Sequence, residues 1–448
     1  MLDKILHWLK KFIPRQLFVA VQPLYHYLLA WLGAIIYRFP ARQLKIIFVT
    51  GTKGKTSTTE ILSAILTTAG HKVASTSTLQ FKIGDKIERN LYKMSMPGRM
   101  FMQKFLRRAV SAGCDFAVIE GTSEGSKLFR HKFIDLDGLI FTNISPEHIE
   151  SHGSFEKYLE AKLEYARALD QSKKAPKFLV VNSDDQEAQK FKDQAPSAIQ
   201  LEFSLAQAKP FDTTLAGSKL TIDSKEVKTA LTGQFNVLNI LGAAKMAKIF
   251  GATDDDIKKA LANLGKIPGR MEKVFSDKPG QNFEVIVDYA HTTDSLAKAY
   301  ETLGDRRKIC VLGSCGGGRD KWKRPQMGKV ASNHCDYIIL TNEDPYDEDP
   351  EQIIAEVAEG ITKPYVKILD RREAIRAAIK EAKEGDVVII TGKGTDPYIM
   401  GPSGKKMSWS DYEVAREEMS ADLTQKLGEI GRQLGGWKKD LQAKTPRP

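Results

Sequence analysis

From Lys45 onward, short apolar runs rich in β-branched residues alternate with longer stretches whose apolar positions recur at helical spacing. This alternation is typical of parallel sheets covered by helices, and it predicts an α/β protein. Two series of strands are expected. The first is predicted at Ile46–Val49, Phe116–Ile119, Leu139–Phe141 and Phe178–Val181, and the second at Val285–Val287, Ile309–Leu312, Tyr337–Leu340 and Val387–Ile390.

Every predicted strand ends in glycine or polar residues. These ends read GTKGKT, EGTSEG, TNISPEH and NSDD in the first series, and DYAH, GSCGGGRD, TNEDP and TGKGTD in the second. Ligands bind beyond the carboxyl ends of the strands in open α/β sheets, so the chemistry is expected there. Pro268 and Gly269 interrupt helical sequence just before the second series, which indicates a boundary. The predicted domains are residues 1–44, 45–267 and 268–448.

The first 44 residues have a different pattern, in which basic residues precede an apolar run from Leu24 to Tyr37. That run is shorter than the ~20 residues that cross a bilayer, so a membrane span is disfavoured. A cleaved secretory signal is also disfavoured, because no small-residue cleavage site follows. Two interpretations stay open: a helical hairpin packed on the protein, and a peripheral membrane contact through residues 1–40. The basic residues are Lys4, Lys10, Lys11 and Arg15.

Composition narrows the class of protein. A chain of 448 residues exceeds what one hydrophobic core serves, and its net charge of +11 favours anionic partners. Nucleic acid is not expected among them, because the sequence has no aromatic-interleaved basic stripe, helix-turn-helix or RNP-like signature. Its cysteines form no C-x-x-C pair, so free thiols in a reducing cytoplasm are predicted instead of a disulfide framework. The cysteines are Cys114, Cys310, Cys315 and Cys335.

The stretch VTGTKGKTST, which follows the first predicted strand, resembles a phosphate-binding loop. Gly51 and Gly54 allow backbone N–H groups to close around phosphate oxygens at a helix N-terminus. Lys55 then balances the β- and γ-phosphate charge, and the Thr56 hydroxyl ligates Mg²⁺. The match to a Walker A sequence is partial, because Val49 stands where that sequence has glycine.

Three further features suggest metal or anion chemistry, and each has an ordinary alternative. Glu120 follows a buried strand and is placed to hold a metal, although a surface carboxylate is the alternative. His148 and His152 at i, i+4 suit metal ligands on one helix face, or are ordinary polar residues. Lys162 borders an apolar stripe, where desolvation lowers an amine's pKa and favours reaction with CO₂. A snorkelling lysine is the alternative there.

Eight motifs together resemble the Mur ligases in order and approximate spacing. The likeness is strongest to the branch that adds the third residue of the peptidoglycan stem, the UDP-N-acetylmuramyl-tripeptide synthetases, and covers roughly residues 45–400. It implies a central P-loop ATPase-type domain with a parallel sheet, then a C-terminal Rossmann-like α/β domain, behind a short helical segment. The motifs are VTGTKGKTST, VIEGTSEG, FTNISPEHIESHGSFEKYLEAK, GQFNVLNILGAA, PGRME, VDYAH, GSCGGGRDKWKRPQMG and GKGTD.

The resemblance implies ATP-driven amide bond formation. The γ-phosphoryl group passes from ATP to a carboxylate of a UDP-muramoyl peptide, and the amine of an amino acid attacks the resulting acyl phosphate. A cytoplasmic, monomeric enzyme of peptidoglycan synthesis is implied, with ATP and two Mg²⁺ ions. Neutralising a migrating phosphoryl group is electrostatic and positional work, which accounts for the many cations and metal ligands.

The resemblance also assigns roles to individual residues. Lys55, Glu120, His148 and Lys162 are the implied catalytic group, and Thr56 joins the last three as metal ligands, with Lys162 carbamylated. The implied nucleotide-binding residues are Gly51, Thr52, Lys53, Gly54, Lys55, Thr56, Ser57, Asn236, Asn239, Arg270 and Asp288. The implied substrate-binding residues are Ser95, His291, Arg319, Lys323, Glu343 and Asp344.

The sequence departs from the family at several positions. The segment ahead of residue 45 is shorter than the domain with which these ligases grip UDP. Ser95-Met96-Pro97 replaces Thr-Thr-Pro, and Glu343-Asp344-Pro345-Tyr346 replaces the Asp-Asn-Pro-Arg that reads diaminopimelate. Without that arginine, bidentate binding of the distal carboxylate is lost, and two acids suit an amine-bearing substrate such as lysine. GKGTD also replaces Gly-Lys-Gly-His-Glu.

Two alternative functions stay open. The same reaction on another acceptor is found in folylpolyglutamate and cyanophycin ligases, although VDYAH and GGGRDKWKRP favour the muramyl branch. A nucleotide-dependent, membrane-associated scaffold that has lost ligation is the second alternative. The presence of Lys55, Glu120, His148 and Lys162 argues against it.

Overall fold

The computed structural model describes residues 15–147, 149–275 and 282–420. The chain divides into two compact units, Met1–Gly265 and Lys266–Pro448. The break proposed from sequence at Pro268 and Gly269 lies close to this division. All eight strands predicted from sequence are present, and the α/β fold class is confirmed.

The first unit is built on an eight-stranded sheet with the order β4-β3-β2-β5-β1-β6-β7-β8. The six neighbouring strands β2, β5, β1, β6, β7 and β8 run parallel, while β3 and β4 form an antiparallel edge. A second, three-stranded antiparallel sheet has the order β11-β10-β9. The strands are β1 Lys45–Thr50, β2 Val73–Thr76, β3 Gln80–Ile83, β4 Lys86–Arg89, β5 Phe116–Gly121, β6 Gly138–Phe141, β7 Phe178–Asn182, β8 Ile199–Phe203, β9 Asp212–Thr214, β10 Gly217–Ile222 and β11 Lys225–Thr229.

Strand β1 lies between β5 and β6, in register Val49 to Glu120 and Val49 to Ile140. Its apolar residues from Ile46 to Val49 are fully buried, as expected for a parallel strand covered on both faces. The chain leaves β1 and its two neighbours at the same edge, so three strand ends meet around one loop. This is the topological switch point at which open α/β sheets bind ligands.

The helices of the first unit cover both faces of the large sheet and bury its apolar side chains. The helix after β1 starts at Lys55 and buries Ile61, Leu62, Ile65 and Leu66, the stripe predicted from sequence. The helices are α1 Arg15–Ile36, α2 Lys55–Thr68, α3 Arg99–Ser111, α4 Ser123–Lys127, α5 Ile149–His152, α6 Phe155–Asp170, α7 Ala188–Asp193, α8 Gln234–Ile249 and α9 Asp254–Asn263, with 3₁₀ turns Pro40–Gln43 and Leu205–Ala208.

The second unit is built on a six-stranded sheet with the order β12-β13-β17-β14-β15-β16, in which only β12 is antiparallel. A separate hairpin pairs β18 with β19. Its strands are β12 Glu272–Val274, β13 Glu284–Asp288, β14 Lys308–Leu312, β15 Tyr337–Leu340, β16 Tyr365–Lys367, β17 Val387–Thr391, β18 Tyr398–Met400 and β19 Lys406–Ser408. Its helices are α10 Thr293–Glu301, α11 Lys323–His334, α12 Pro350–Ala358 and α13 Arg371–Glu381, with a 3₁₀ turn Pro402–Gly404 and helical residues at 411–420.

One prediction about the cysteines is wrong. Cys310 and Cys335 form a disulfide, with their Cα atoms 6.1 Å apart. Cys310 lies on β14, and Cys335 ends the helix that leads into the neighbouring strand β15. The pairing of these strands brings together two residues that are 25 positions apart, which spacing alone does not reveal. Cys114 and Cys315 are buried free thiols.

The segment before β1 contains one long described helix, α1, followed by the turn Pro40–Gln43. The first half of the predicted helical hairpin falls in residues 1–14, outside the described residues. Within the described part of the chain, no helix is both long and apolar enough to cross a membrane.

Candidate functional site

The loop between β1 and α2 depends on two glycines with positive φ. Gly51 has a φ of +148°, and a Cβ there would lie 2.0 Å from Thr142 Oγ1. Gly54 has a φ of +83°, and a Cβ there would lie 2.2 Å from Asn239 Oδ1. Neither position accepts a side chain without displacing its neighbour. The loop therefore keeps its backbone close to the ends of β6 and the start of α8.

Asn143, at the end of β6, holds the loop in place. Its carbonyl accepts the N–H of Thr52 at 2.7 Å, and its side-chain oxygen accepts the N–H of Lys53 at 3.0 Å. The side chain of Lys55 folds back over the loop and donates to the carbonyls of Gly51 and Thr52 at 2.9 and 2.8 Å. An ammonium group therefore lies above a loop whose backbone is already fixed, which is the preorganisation that a phosphate site needs.

The first turn of α2 supplies the other phosphate-binding groups. The N–H groups of Lys55, Thr56 and Ser57 have no acceptor within their own helix, because the first turn of a helix lacks one. They carry the positive end of the helix dipole, which favours an anion at this terminus.

Thr56 and Glu120 form a compact oxygen-donor pair. Thr56 Oγ1 donates to Glu120 Oε2 at 2.9 Å, and both residues are buried. The same carboxylate oxygen accepts from the N–H of Thr78 at 3.0 Å. The donor set of hydroxyl and carboxylate oxygens fits Mg²⁺, which prefers hard oxygen ligands. Glu120 lies within β5, one residue before its end, and is not the surface carboxylate of the alternative interpretation.

Lys162 is the least expected member of the site. It lies on α6 with 1% of its surface exposed, and its Nζ donates to the carbonyl of Gly51 at 2.6 Å. Burial lowers the pKa of Lys162 well below its ordinary value, and the nearby charge of Lys55 lowers it further. The desolvation predicted from the apolar stripe is therefore present, and a snorkelling lysine is excluded. A neutral amine is the form that reacts with CO₂.

His148 lies outside the described residues. His152, at the end of α5, is buried and bonds Ser123 Oγ at 3.2 Å, with Glu124 Oε1 3.6 Å away. Among the residues that the structure describes, no group of three or more histidines, cysteines or acids gathers as a metal site.

Asn236 and Asn239 lie on the first turns of α8 and are both buried. Asn239 donates to the side-chain oxygen of Asn236 at 3.1 Å, and its own oxygen accepts from Thr58 at 3.3 Å. Because Asn239 also touches Gly54, this pair borders the phosphate loop itself.

Ser95, which matches the acceptor motif, donates to the carbonyl of Glu120 at 3.0 Å and is fully buried. Two arginines that the sequence did not single out flank its loop. Arg130 donates to the carbonyl of Met96, and Arg99 begins α3. Burial lowers the pKa of Arg99 to about 10, and the neighbouring charge of Arg130 contributes.

In the second unit, the residues assigned by resemblance lie after the strands. Asp288 ends β13, and its carboxylate accepts the N–H groups of Met271 and Ala290, each at 2.7 Å. Arg270 stacks over Tyr289 at 4.5 Å, and His291 Nδ1 lies 2.7 Å from the carbonyl of Tyr289. Asp288 thus organises the backbone around this strand end.

A second group in this unit surrounds the ends of β14, β15 and β17. Arg319 stacks over Tyr346 at 5.6 Å and donates to its hydroxyl at 3.3 Å. A guanidinium therefore contacts the residue that replaces the family's arginine. Lys323 opens α11 and is buried. Burial raises the pKa of the nearby Cys315 thiol to about 12.

Glu343 and Asp344 have different environments. Asp344 Oδ1 pairs with Lys393 Nζ at 2.8 Å and accepts the N–H of Met400 at 2.8 Å. Glu343 lies against Gly392, and among the residues that the structure describes its Oε2 has no hydrogen-bond partner. Burial raises the pKa of Glu343, and the charge of Asp344 raises it further. Since Lys393 neutralises Asp344, only one acid of the pair is left for a ligand.

Sequence reasoning missed several residues that hold these groups. Glu147 pairs with Lys53 at 2.9 Å, and Tyr158 meets the Thr52 hydroxyl at 3.0 Å. Glu147 and Asn143 both belong to the polar strand end TNISPEH, so their presence there was a usable signal. Tyr158 lies 106 positions from its partner and gave none.

Comparison with known proteins identifies the family. The model of the Mur ligase middle domain matches residues 49–247, and that of the Mur ligase, glutamate ligase domain matches residues 269–394. The chain belongs to the Mur ligase family. As a member of it, the protein is an ATP-dependent ligase that joins an acid to an amino acid.

Similar proteins point to one branch of the Mur ligases. The UDP-N-acetylmuramoyl-L-alanyl-D-glutamate–2,6-diaminopimelate ligase of Geobacillus kaustophilus (strain HTA426) is 37% identical over 406 residues, covering 87% of this chain and 81% of that protein. A solved structure of such a ligase has a TM-score of 0.59 at 28% identity, covering 87% of this chain and 82% of the other. The Mycobacterium tuberculosis folylpolyglutamate synthase shares the fold, with a TM-score of 0.66 at 17% identity. That match covers 82% of this chain and 92% of the other.

Proposed function

We propose that this Mur ligase adds 2,6-diaminopimelate to UDP-N-acetylmuramoyl-L-alanyl-D-glutamate, a step of peptidoglycan precursor synthesis. Relatives at 37% and 36% identity are ligases named for this substrate pair, which supports the proposal. The observation that carries the reaction type is the phosphate loop, where Lys55, the pair of Thr56 and Glu120, and the buried amine of Lys162 converge.

The reaction has two steps. An oxygen of the acceptor carboxylate takes the γ-phosphoryl group of ATP, and ADP leaves. The neutral amine of the amino acid then attacks the carbonyl carbon of the acyl phosphate, phosphate leaves, and the nitrogen loses a proton to give the amide.

Residues of this chain perform the positioning in the first step. The loop and the first turn of α2 bind the phosphates, and Lys55 spreads its charge over the β- and γ-phosphate oxygens. Thr56 and Glu120 would hold the first Mg²⁺. When bound, Mg²⁺ neutralises the charge that develops on the transferring group.

We further propose that Lys162 is carbamylated and, with His148, holds a second Mg²⁺. The amine gains a carboxylate from CO₂ and releases one proton, so a buried neutral base becomes an anion. Two features support this: the lowered pKa of the Lys162 amine, and the ammonium groups of Lys53 and Lys55, which favour an anion at that position.

We propose that the amino acid binds at the strand ends of the second unit. Arg319 offers a guanidinium for a carboxylate. Glu343 Oε2, which has no hydrogen-bond partner among the described residues, offers an acceptor for an amine. A diamino acid with two carboxylates suits such a mixed set better than a simple amine does.

The enzyme is proposed to be a cytoplasmic monomer, with peripheral membrane contact through residues 1–40. The apolar side chains that α1 exposes support the contact.

The test is a product analysis with the purified full chain. With ATP, Mg²⁺, UDP-N-acetylmuramoyl-L-alanyl-D-glutamate and a mixture of diaminopimelate and lysine, we expect one new nucleotide product whose mass includes diaminopimelate, with stoichiometric phosphate release. A lysine product would correct the amino acid. No ligation to any UDP-muramoyl peptide, together with glutamate addition to folate, would overturn the proposed acceptor.

A further inference from the structure

Helix α1 exposes a continuous apolar face. Its exposed large hydrophobic residues recur every three or four positions, which places them along one side of the helix. The face includes two aromatic residues, Tyr25 and Trp31, of the kind that lie at the boundary between lipid and water. The face consists of Val21, Leu24, Tyr25, Leu28, Trp31, Leu32, Ile35 and Ile36.

The opposite side of α1 is fixed to the first unit. Ala30, Gly33 and Ala34 are buried, and a Cβ on Gly33 would lie 3.0 Å from Met100 Sδ on α3. Arg107 of α3 donates to the carbonyls of Tyr37 and Arg38, just beyond the C-terminus of α1. The helix therefore packs closely on α3 through small residues and presents its large ones outward.

The surroundings of this face are basic. Arg38 and Arg42 are exposed at its C-terminal end. Between residues 15 and 44 the sequence contains no acidic residue, and residues 1–14 contain three lysines and a single acid, Asp3. An apolar stripe beside a cationic border is the combination that binds anionic lipid surfaces.

We infer that this face of α1 docks in the plane of an anionic bilayer, with its apolar side chains among the acyl chains and Arg38 and Arg42 at the phosphate headgroups. The inference rests on the peripheral contact proposed above and adds the lipid class, the orientation and the residues.

Two other occupants fit the observations less well. A second copy meeting this face about a twofold axis would bring the two basic borders together, which is repulsive. A membrane span conflicts with the packing of α1 on α3, and no helix among the described residues is both long and apolar enough to cross a membrane.

The test is sedimentation of the full chain with lipid vesicles. We expect binding to vesicles that contain phosphatidylglycerol, weaker binding to phosphatidylcholine alone, and weakening by salt. The double variant Leu28→Glu/Trp31→Glu should lower the partition coefficient at least about tenfold, because charges replace inserted apolar side chains. Arg38→Glu/Arg42→Glu should remove most of the preference for anionic lipid.

Ile199→Glu is the matched control, because Ile199 is as exposed as these residues but lies on the edge strand β8. It should bind vesicles like the unmodified chain. Ligation without vesicles should be unchanged in the α1 variants, so loss of docking is distinguished from failure of the proposed reaction. Equal sedimentation of Leu28→Glu/Trp31→Glu would overturn the inference. A dimer in solution that this variant converts to a monomer would overturn it in favour of a second copy.

Discussion

Replacing Lys162 with methionine tests the central claim about the site. The substitution keeps the length and apolar stem of the side chain, and it removes only the buried amine. If that amine serves catalysis as a carbamate, activity is lost while the fold is kept. We expect turnover to fall and the stability of the fold to rise, so the experiment distinguishes lost chemistry from a damaged fold.

The expected change in stability follows from the environment of the amine. Each pKa unit by which burial lowers the value costs about 1.4 kcal/mol of native stability at neutral pH. The hydrogen bond from Lys162 to the carbonyl of Gly51 returns about 1 kcal/mol. Because the pKa is well below its ordinary value, the cost exceeds the return. Lys162→Met should therefore raise the free energy of unfolding by about 1–3 kcal/mol in CO₂-free buffer.

The stability that depends on Lys162 should also change with pH. The unfolded amine binds a proton below about pH 10.4, while the buried native amine stays neutral down to its lowered pKa. The unfolded state thus binds more protons, and stability from this residue rises with pH up to about 10.4. Urea unfolding at several pH values should show a shallower rise for Lys162→Met.

Turnover of Lys162→Met, measured by phosphate release, should fall at least about 10²-fold. Lys162→Ala should lose as much and recover part of its rate with formate or acetate, which place a carboxylate in the space left. Lys174→Met is the control, because Lys174 is also largely buried and pairs with Asp137 at 2.6 Å, away from the loop. It should keep its turnover and lose about 1–3 kcal/mol of stability. Unchanged turnover in Lys162→Met would refute the carbamate and the second metal ion.

Three further predictions concern other parts of the molecule. Gly54→Ala should weaken ATP binding, measured by calorimetry, at least about tenfold. The added Cβ would meet Asn239 Oδ1, and alanine in this positive-φ conformation costs about 1–3 kcal/mol. Unchanged affinity for ATP would contradict the loop geometry. Lys393→Met should lower the free energy of unfolding by about 3–5 kcal/mol, because it leaves Asp344 buried without its cation. Adding Asp344→Asn should restore part of the lost stability. No recovery in the double variant would count against the pair. Burial lowers the pKa of His131 to about 3. As the pH falls from about 6.5 towards 3, the unfolded state takes up the proton first, so stability from this residue is lost. His131→Leu should make stability fall less steeply with acid, as followed by fluorescence, and an unchanged slope of stability against pH would disprove this.

The sequence predicted the strands that are continuous apolar runs, and it missed the others, including Ile199–Phe203, in which apolar and polar residues alternate. The eight predicted strands form the centres of the two large sheets. Lys86–Arg89 is exposed at all four positions, and Lys406–Ser408 at all three, so no periodicity marked them. Their pairing depends on hairpin geometry and on neighbours, which a local pattern does not contain.

The residues of the candidate site likewise divide into those that have a local sequence signal and those that have none. Lys55, Thr56 and Lys162 were found because a glycine-rich loop and an apolar stripe are local signals. The bonds from Asn143 to the loop, 90 positions away, and the pairing of Lys393 with Asp344 arise only when strand order is known. The disulfide of Cys310 and Cys335 was missed for that reason too.

Asp344 has a consequence for attempts to redirect the enzyme to a new amino acid. Its carboxylate fastens the β18 hairpin, through Met400, to the end of β15. Mutating it would loosen the strand ends at which we propose that the amino acid binds, so a change in specificity could not be separated from that loosening. Libraries built at Tyr346 and Glu343 leave that fastening intact, so they are the better starting points for engineering a different side-chain preference.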